Sequence, residues 1–235
     1  MILQTRNTSF LEYLKSISLY PMLYPLSKLG MLMHLFGLKR QRCVQRNSIP
    51  NSQHILEKVF TDMNSIGPMI AASAKLGLGY AERLLKDVRP EQFGAFARCS
   101  GAAVESNHPA FIYGHLSLYA PRIISELGGN LGTLEPSDTF NQLFSKDAKC
   151  IDDTDGTIYP SMDEILTAFR QGHEAAVKEL EQAEDSIFLK DNPNDGMRKL
   201  FPTLGAMHAF YVGGHLMLHM GQMSAWRRVQ GLGAA

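Results

Sequence analysis

Tyr211-Val212-Gly213-Gly214-His215-Leu216-Met217-Leu218-His219-Met220-Gly221-Gln222 is the segment on which the reading of this chain turns. It sits in an apolar run with no proline from Thr203 to the C-terminus, so one unbroken helix is expected there. His215 and His219 stand four residues apart, and at 3.6 residues per turn both imidazoles fall on one face. Neutral imidazole nitrogens are good ligands for zinc, nickel or iron. Two ligands do not complete a site, and the H-E-x-x-H form of helical metalloproteases is absent because position 216 is Leu. A third ligand must come from another part of the chain.

Working outward, three further helical patterns appear. From Ser65, the residues Ile66, Met69, Ile70, Leu76, Tyr80 and Leu84 share a face, with Ser73 filling a gap, until Val88-Arg89-Pro90 stops the helix near Asp87. Lys75 and Glu82 read as its solvated side. A second helix is expected to be capped by Asn107, with Pro109 in its first turn and Gly128-Gly129 at its end. Its apolar positions are Phe111, Ile112, Leu116, Tyr119, Ile123, Ile124 and Leu127, and Pro121 should kink or split it. His115 lies on that same face. A connection over 130–160, rich in Asp, Thr, Gly and Pro, is long enough to cross a bundle or cover a site. Ser161-Met162-Asp163-Glu164 is a capping box for a third helix running to about Ala183. The fourth helix is expected from about Pro202 to Val229. With almost no alternating strand pattern, this predicts an all-α fold: a four-helix bundle with one long crossover connection.

Composition bounds the rest. The 235 residues carry 45% apolar side chains and zero formal net charge, which gives no reason to expect a nucleic-acid partner. Residues 1–62 hold eight Lys/Arg against three Asp/Glu, and the remainder fifteen against twenty. The first quarter is therefore read as a basic N-terminal extension preceding a domain at 63–235. It is either poorly ordered, with one short helix over 29–38 and a polar linker over 46–52, or an amphipathic arm for a partner or membrane surface. No membrane span and no cleavable signal are read. Cys43, Cys99 and Cys150 are odd in number and widely spaced, which fits a reduced, cytoplasmic setting.

Asn107-His108-Pro109-Ala110-Phe111-Ile112-Tyr113-Gly114-His115-Leu116, then His215-Leu216-Met217-Leu218-His219-Met220-Gly221-Gln222 and Arg227-Arg228-Val229-Gln230-Gly231-Leu232, resemble the DinB/YfiT-like superfamily. Tyr159-Pro160-Ser161 and Phe201-Pro202-Thr203-Leu204 share its texture, and the similarity spans about residues 65–232. The resemblance implies a metal-binding triad of His115, His215 and His219, with one or more positions open to water or substrate. It also implies a small-molecule substrate and, as in relatives that are thiol-dependent S-transferases or a maleylpyruvate isomerase, a reaction that uses a low-molecular-weight thiol, or a related hydrolysis. The alternative is a non-catalytic metal- or small-molecule-binding stress-response protein.

Around this triad, Tyr211 is a candidate catalytic hydroxyl one turn before His215, with a core aromatic as the plainer reading. Gln222 is a candidate to hold a ligand nitrogen from outside the coordination sphere. His108 and His208 are each seven residues before a proposed ligand, roughly 10 Å by the helical rise, too far to join the same ion. Arg227 and Arg228 are expected to complement the dipole of their own helix. Cys99 and Cys150, both in loops, have no adjacent base to activate them. Bundles of this kind often pair through an apolar face, so a homodimer is expected.

Overall fold

The computed structural model describes residues 64–235, which are mostly helical. The expected extension over 1–62, with its short helix and linker, lies outside the described residues. In chain order the elements are α1 (Ile66–Leu84), α2 (Pro90–Phe93), a short hairpin of β1 (Arg98–Cys99) and β2 (Ala102–Ala103), α3 (Pro109–Ser117) and α4 (Tyr119–Glu126). Then follow a 3₁₀ turn (Gly132–Leu134), α5 (Asp138–Phe144), α6 (Met162–Gln182), α7 (Asp185–Phe188), α8 (Asp195–Arg198) and α9 (Leu204–Ala209). A π-helical segment (Phe210–His215) leads directly into α10 (Leu216–Val229). Among these residues no helix is long and apolar enough to cross a membrane.

The long rods pack in a closed order. α1 lies against α6 and against the π segment and α10, while α3–α4 lies against α6 and, through α3, against α10. One core cluster gathers Leu84, Phe93, Tyr113, Phe144, Phe169 and Trp226; a second gathers Ile70, Ile123, Val177, Phe188 and Met207. Lys75–Glu181 and Arg170–Glu82 tie α1 to α6 at the surface. Exposed pairs of this kind contribute about 1 kcal/mol or less each.

Several expectations are corrected. The face α1 buries is only partly the one its large residues mark: Ile70 and Leu84 are buried as expected, but Met69 and Leu76 are 65% and 76% exposed. The helix buries Gly67, Ile70, Ala71, Ala74, Gly77, Ala81 and Leu84. Small residues win here because the neighbours come too close for anything larger. A Cβ at Gly67 would meet the Leu180 carbonyl oxygen at 1.9 Å, and one at Gly77 would meet Leu216 at 2.8 Å. α1 also ends at Leu84, with Asp87 in a left-handed conformation (φ 61°) closing the turn.

The N-cap of α3 is His108 rather than Asn107: the His108 ring Nδ1 accepts from Phe111 N–H at 3.2 Å. Its Nε2 then donates to the Ile151 carbonyl at 2.9 Å, so one neutral tautomer satisfies both bonds. The second rod does break ahead of Pro121, which has no N–H to offer Ser117 one turn back, and α3 gives way to α4 at Leu118. The connection over 130–160 is not featureless. It contains α5, capped by Ser137 accepting from Phe140 N–H at 3.3 Å, which carries Phe140 and Phe144 into the core. Ser161 caps α6 as expected, accepting from Glu164 N–H at 3.2 Å.

The fourth rod begins at Leu204 and is interrupted by the π segment, which contains the Gly213-Gly214 pair. Two adjacent glycines weaken the α-helical ladder enough for a wider turn to form at low cost. Arg227 does not serve its own helix alone. It is buried at the C-terminal end of α1, where its guanidinium donates to the Leu84 carbonyl at 2.8 Å and to the Lys86 carbonyl, as well as to Leu232 at 3.2 Å. The cation thus offsets the negative end of α1.

Candidate metal centre

The break before Pro121 and the π turn together aim side chains at one point. α3 presents His115 in its last turn, and the π segment hands His215 to the start of α10, which carries His219. The Nε2 atoms of His115 and His215 are 3.2 Å apart, and those of His219 and His215 are 3.1 Å apart. One ligand nitrogen from each ring lies within 4.8 Å of the others, so the three histidines could hold a metal ion. A tetrahedral ion with metal–nitrogen bonds of about 2.0–2.1 Å spaces its ligands about 3.3 Å apart, close to the two separations from His215.

The hydrogen bonds around the rings decide where the lone pairs point. His115 Nδ1 lies 2.7 Å from the Phe144 carbonyl, which only accepts, so that nitrogen carries the proton and Nε2 is a lone pair. His219 Nδ1 lies 2.8 Å from Gln222 Oε1, an oxygen that also accepts from Asn107 Nδ2 at 3.1 Å. His219 Nε2 is therefore a lone pair too. Two lone pairs face the Nε2 of His215, whose buried Nδ1 has no partner among the described residues. Either His215 shares one proton with both neighbours, or a cation satisfies all three.

Burial favours the neutral forms that ligation requires. His115 and His219 are buried and His215 is partly so. Desolvation, helped by the neighbouring imidazoles, lowers His215 to about 3 and His219 to about 4, while burial also lowers His115. The Phe111 ring stacks parallel to His115 at 6.0 Å and closes one side of the cluster.

The other side opens onto a cavity of about 490 Å³ lined by His115, Tyr119, Arg122, Glu126, Phe210 and Tyr211, among others. The expected hydroxyl of Tyr211 is in this cavity, accepting from Arg122 at 3.3 Å. Nearer to the histidines is Tyr119, whose hydroxyl lies 3.3 Å from His115 Nε2. By pattern Tyr119 is only an apolar position of its helix; its place four residues after His115 is the available signal. Asn107, expected as a helix cap, instead orients Gln222. His108 and His208 stand apart from the cluster, His208 pairing with Glu126 at 2.8 Å. Cys99 is exposed and outside the cavity lining, and burial pushes the Cys150 thiol up to about 11, so Cys150 is not an activated nucleophile.

No protein-family model and no curated protein matches this sequence.

Proposed function

We propose that this chain is a DinB/YfiT-like four-helix bundle, its 130–160 segment forming the long crossover, that binds one divalent metal (zinc, nickel or iron) through His115, His215 and His219. We assign it a metal-dependent reaction on a small molecule, thiol S-transfer or a related hydrolysis or isomerisation. The observation that carries the reading is the convergence of three Nε2 atoms, two of them lone pairs fixed by Phe144 O and Gln222 Oε1. An all-imidazole donor set suits these borderline metals, and three ligands leave a position open. When bound, such an ion supplies Lewis acidity and lowers the pKa of a water or thiol beside it.

The chain's own residues prepare the site. Phe144 and Gln222 hold the imidazole orientations, and the buried Phe111 ring lies parallel to His115 on one flank. Desolvation raises the pKa of Tyr119, so its phenol stays protonated at neutral pH and can donate a hydrogen bond into the cavity. The thiol in a transfer reaction would be a soluble low-molecular-weight one, because Cys150 is held protonated and Cys99 lies outside the cavity lining. Free Cys99 and Cys150 accord with a cytoplasmic setting. Exposed Met69 and Leu76 on α1 offer an apolar face for pairing with a second copy.

A non-catalytic metal- or metabolite-binding role is favoured by one observation. The cavity's carboxylates are engaged, Glu126 by His208 and Asp147 by Lys146, which leaves no free general base there. The deciding experiment is elemental analysis of protein purified without chelator. About one metal per chain is expected, lost in His115→Ala and His219→Ala. Protein that carries no metal and whose melting temperature ignores added zinc or nickel sinks the proposal.

A further inference from the structure

In the cavity beside the histidines one cation has no ion-pair partner among the described residues. Arg122 stands at its solvent-exposed side, one turn after Leu118 and on the same wall as Tyr119. Two aromatic rings pin it: its guanidinium carbon lies 5.5 Å from the Tyr119 ring centre and 5.8 Å from that of Tyr211. One N–H goes to the Tyr211 hydroxyl at 3.3 Å. The other cation lining the cavity, Lys146, is paired with Asp147, and Glu126 is paired with His208. Among the described residues no carboxylate lies within ion-pair distance of Arg122, and Glu126, one turn on, acts on it only at longer range.

We propose that this cavity takes a small organic carboxylate, whose head is gripped by the Arg122 fork while its body lies along Tyr119, Phe210 and Tyr211 toward the histidine cluster. A guanidinium has five donors in a planar arrangement that matches a carboxylate bidentately, and only one is spent here. Carboxylate fits better than phosphate, since a doubly charged head calls for a second free cation and the lining offers none. The volume falls within the range of small-molecule sites, about 300–1,000 Å³. Apolar walls, Leu118, Met197 and Phe210 among them, favour an acid with a hydrophobic body. The assignment extends the metal-site reading by naming the substrate class, and it rests on that reading only for which end of the acid meets the histidines.

The test titrates purified protein with benzoate and with its uncharged counterpart benzamide, using calorimetry, and with inorganic phosphate as a further control. Metal content is measured on the same samples. Wild-type protein is expected to bind benzoate at least fivefold more tightly than benzamide or phosphate. Arg122→Gln should erase that preference, and Arg122→Lys, a point charge without the fork, should keep only part of it. Metal content and melting temperature are expected to stay unchanged in both variants, which separates loss of the grip from loss of the fold. Equal binding of benzoate and benzamide, or a preference that survives Arg122→Gln, overturns the inference. Metal present without carboxylate preference would sink this inference alone; carboxylate preference without metal would sink the metal reading alone.

Discussion

Gly114 is the position where packing and chemistry are most tightly joined, and Gly114→Ala tests the join. An added Cβ would lie 2.4–2.5 Å from three carbons of the Phe144 ring. Ordinary carbon contacts are about 3.5–4.0 Å, so the overlap is roughly 1 Å or more. The ring cannot step aside: Phe144 is fully buried, with Phe111, Phe140 and Tyr159 at 6.3, 5.2 and 5.6 Å between centres. Overpacking of this kind destabilises by about 1–3 kcal/mol, and the better helix propensity of Ala offsets about 1 kcal/mol of it. A net loss of up to about 2 kcal/mol is expected, or up to about 8 °C in melting temperature for a domain of this size. Because the Phe144 carbonyl orients His115, moving Phe144 should also weaken zinc binding by about 10–100-fold. Thermal melts of metal-free protein and zinc competition against a chelator read the two effects. Gly221→Ala, in α10 with nothing within 4 Å of its Cβ, is the control and should stabilise by up to about 1 kcal/mol. A Gly114→Ala protein that melts at or above wild type and keeps its zinc affinity refutes the reasoning.

Gln222→Leu should lower zinc affinity about 10–100-fold while leaving the fold intact, and an unchanged competition curve would remove Gln222 from the site. His173, buried in α6 with Nδ1 donating to the Phe169 carbonyl at 2.8 Å, is pushed by desolvation from 6.5 down to about 4. The unfolded chain takes up this proton below pH 6.5 while the folded chain resists until about pH 4, so stability falls as pH drops through that window. The contribution is roughly 3 kcal/mol by pH 4. Urea unfolding of metal-free protein from pH 7 to pH 4 should show a shallower decline in His173→Gln, and parallel curves would exclude His173 as the source. Arg227→Met should destabilise by about 2–4 kcal/mol, because the carbonyls of Leu84 and Lys86 at the end of α1 lose a charged donor. A loss below about 0.5 kcal/mol in urea titrations would show that water replaces it.

The positions of the rods were legible because their signals are local. Ser161 capping α6, Pro109 opening α3 and Pro121 splitting the second rod each act through backbone chemistry within one turn. The His115, His215 and His219 set was legible in part. Four-residue spacing pairs His215 with His219 on any helix, but that His115 joins them rested on resemblance, and 100 residues separate it from His215. Tyr119 and Arg122 were missed because at the level of pattern they look like ordinary helix-face residues. What marks them is the cavity they line, which exists only once α3–α4, α5, α8 and the π segment have met.

The sequence by itself determined where the long helices lie and that two histidines share a face, since both follow from residue type and a spacing of 3.6 per turn, whereas short helices such as α5 carry too few residues to show a period. It could not determine which face of α1 is buried, because that depends on how closely α6 approaches, and the close approach selects Gly67 and Ala71 over Met69 and Leu76. Nor could it orient the imidazoles. Their tautomers are set by the Phe144 carbonyl and the Asn107–Gln222 pair, groups 29 residues from His115 in one case and 115 residues from each other in the second. Only the tertiary structure brings such distant donors and acceptors within 3 Å or so of one another, and hydrogen bonds act over no longer range.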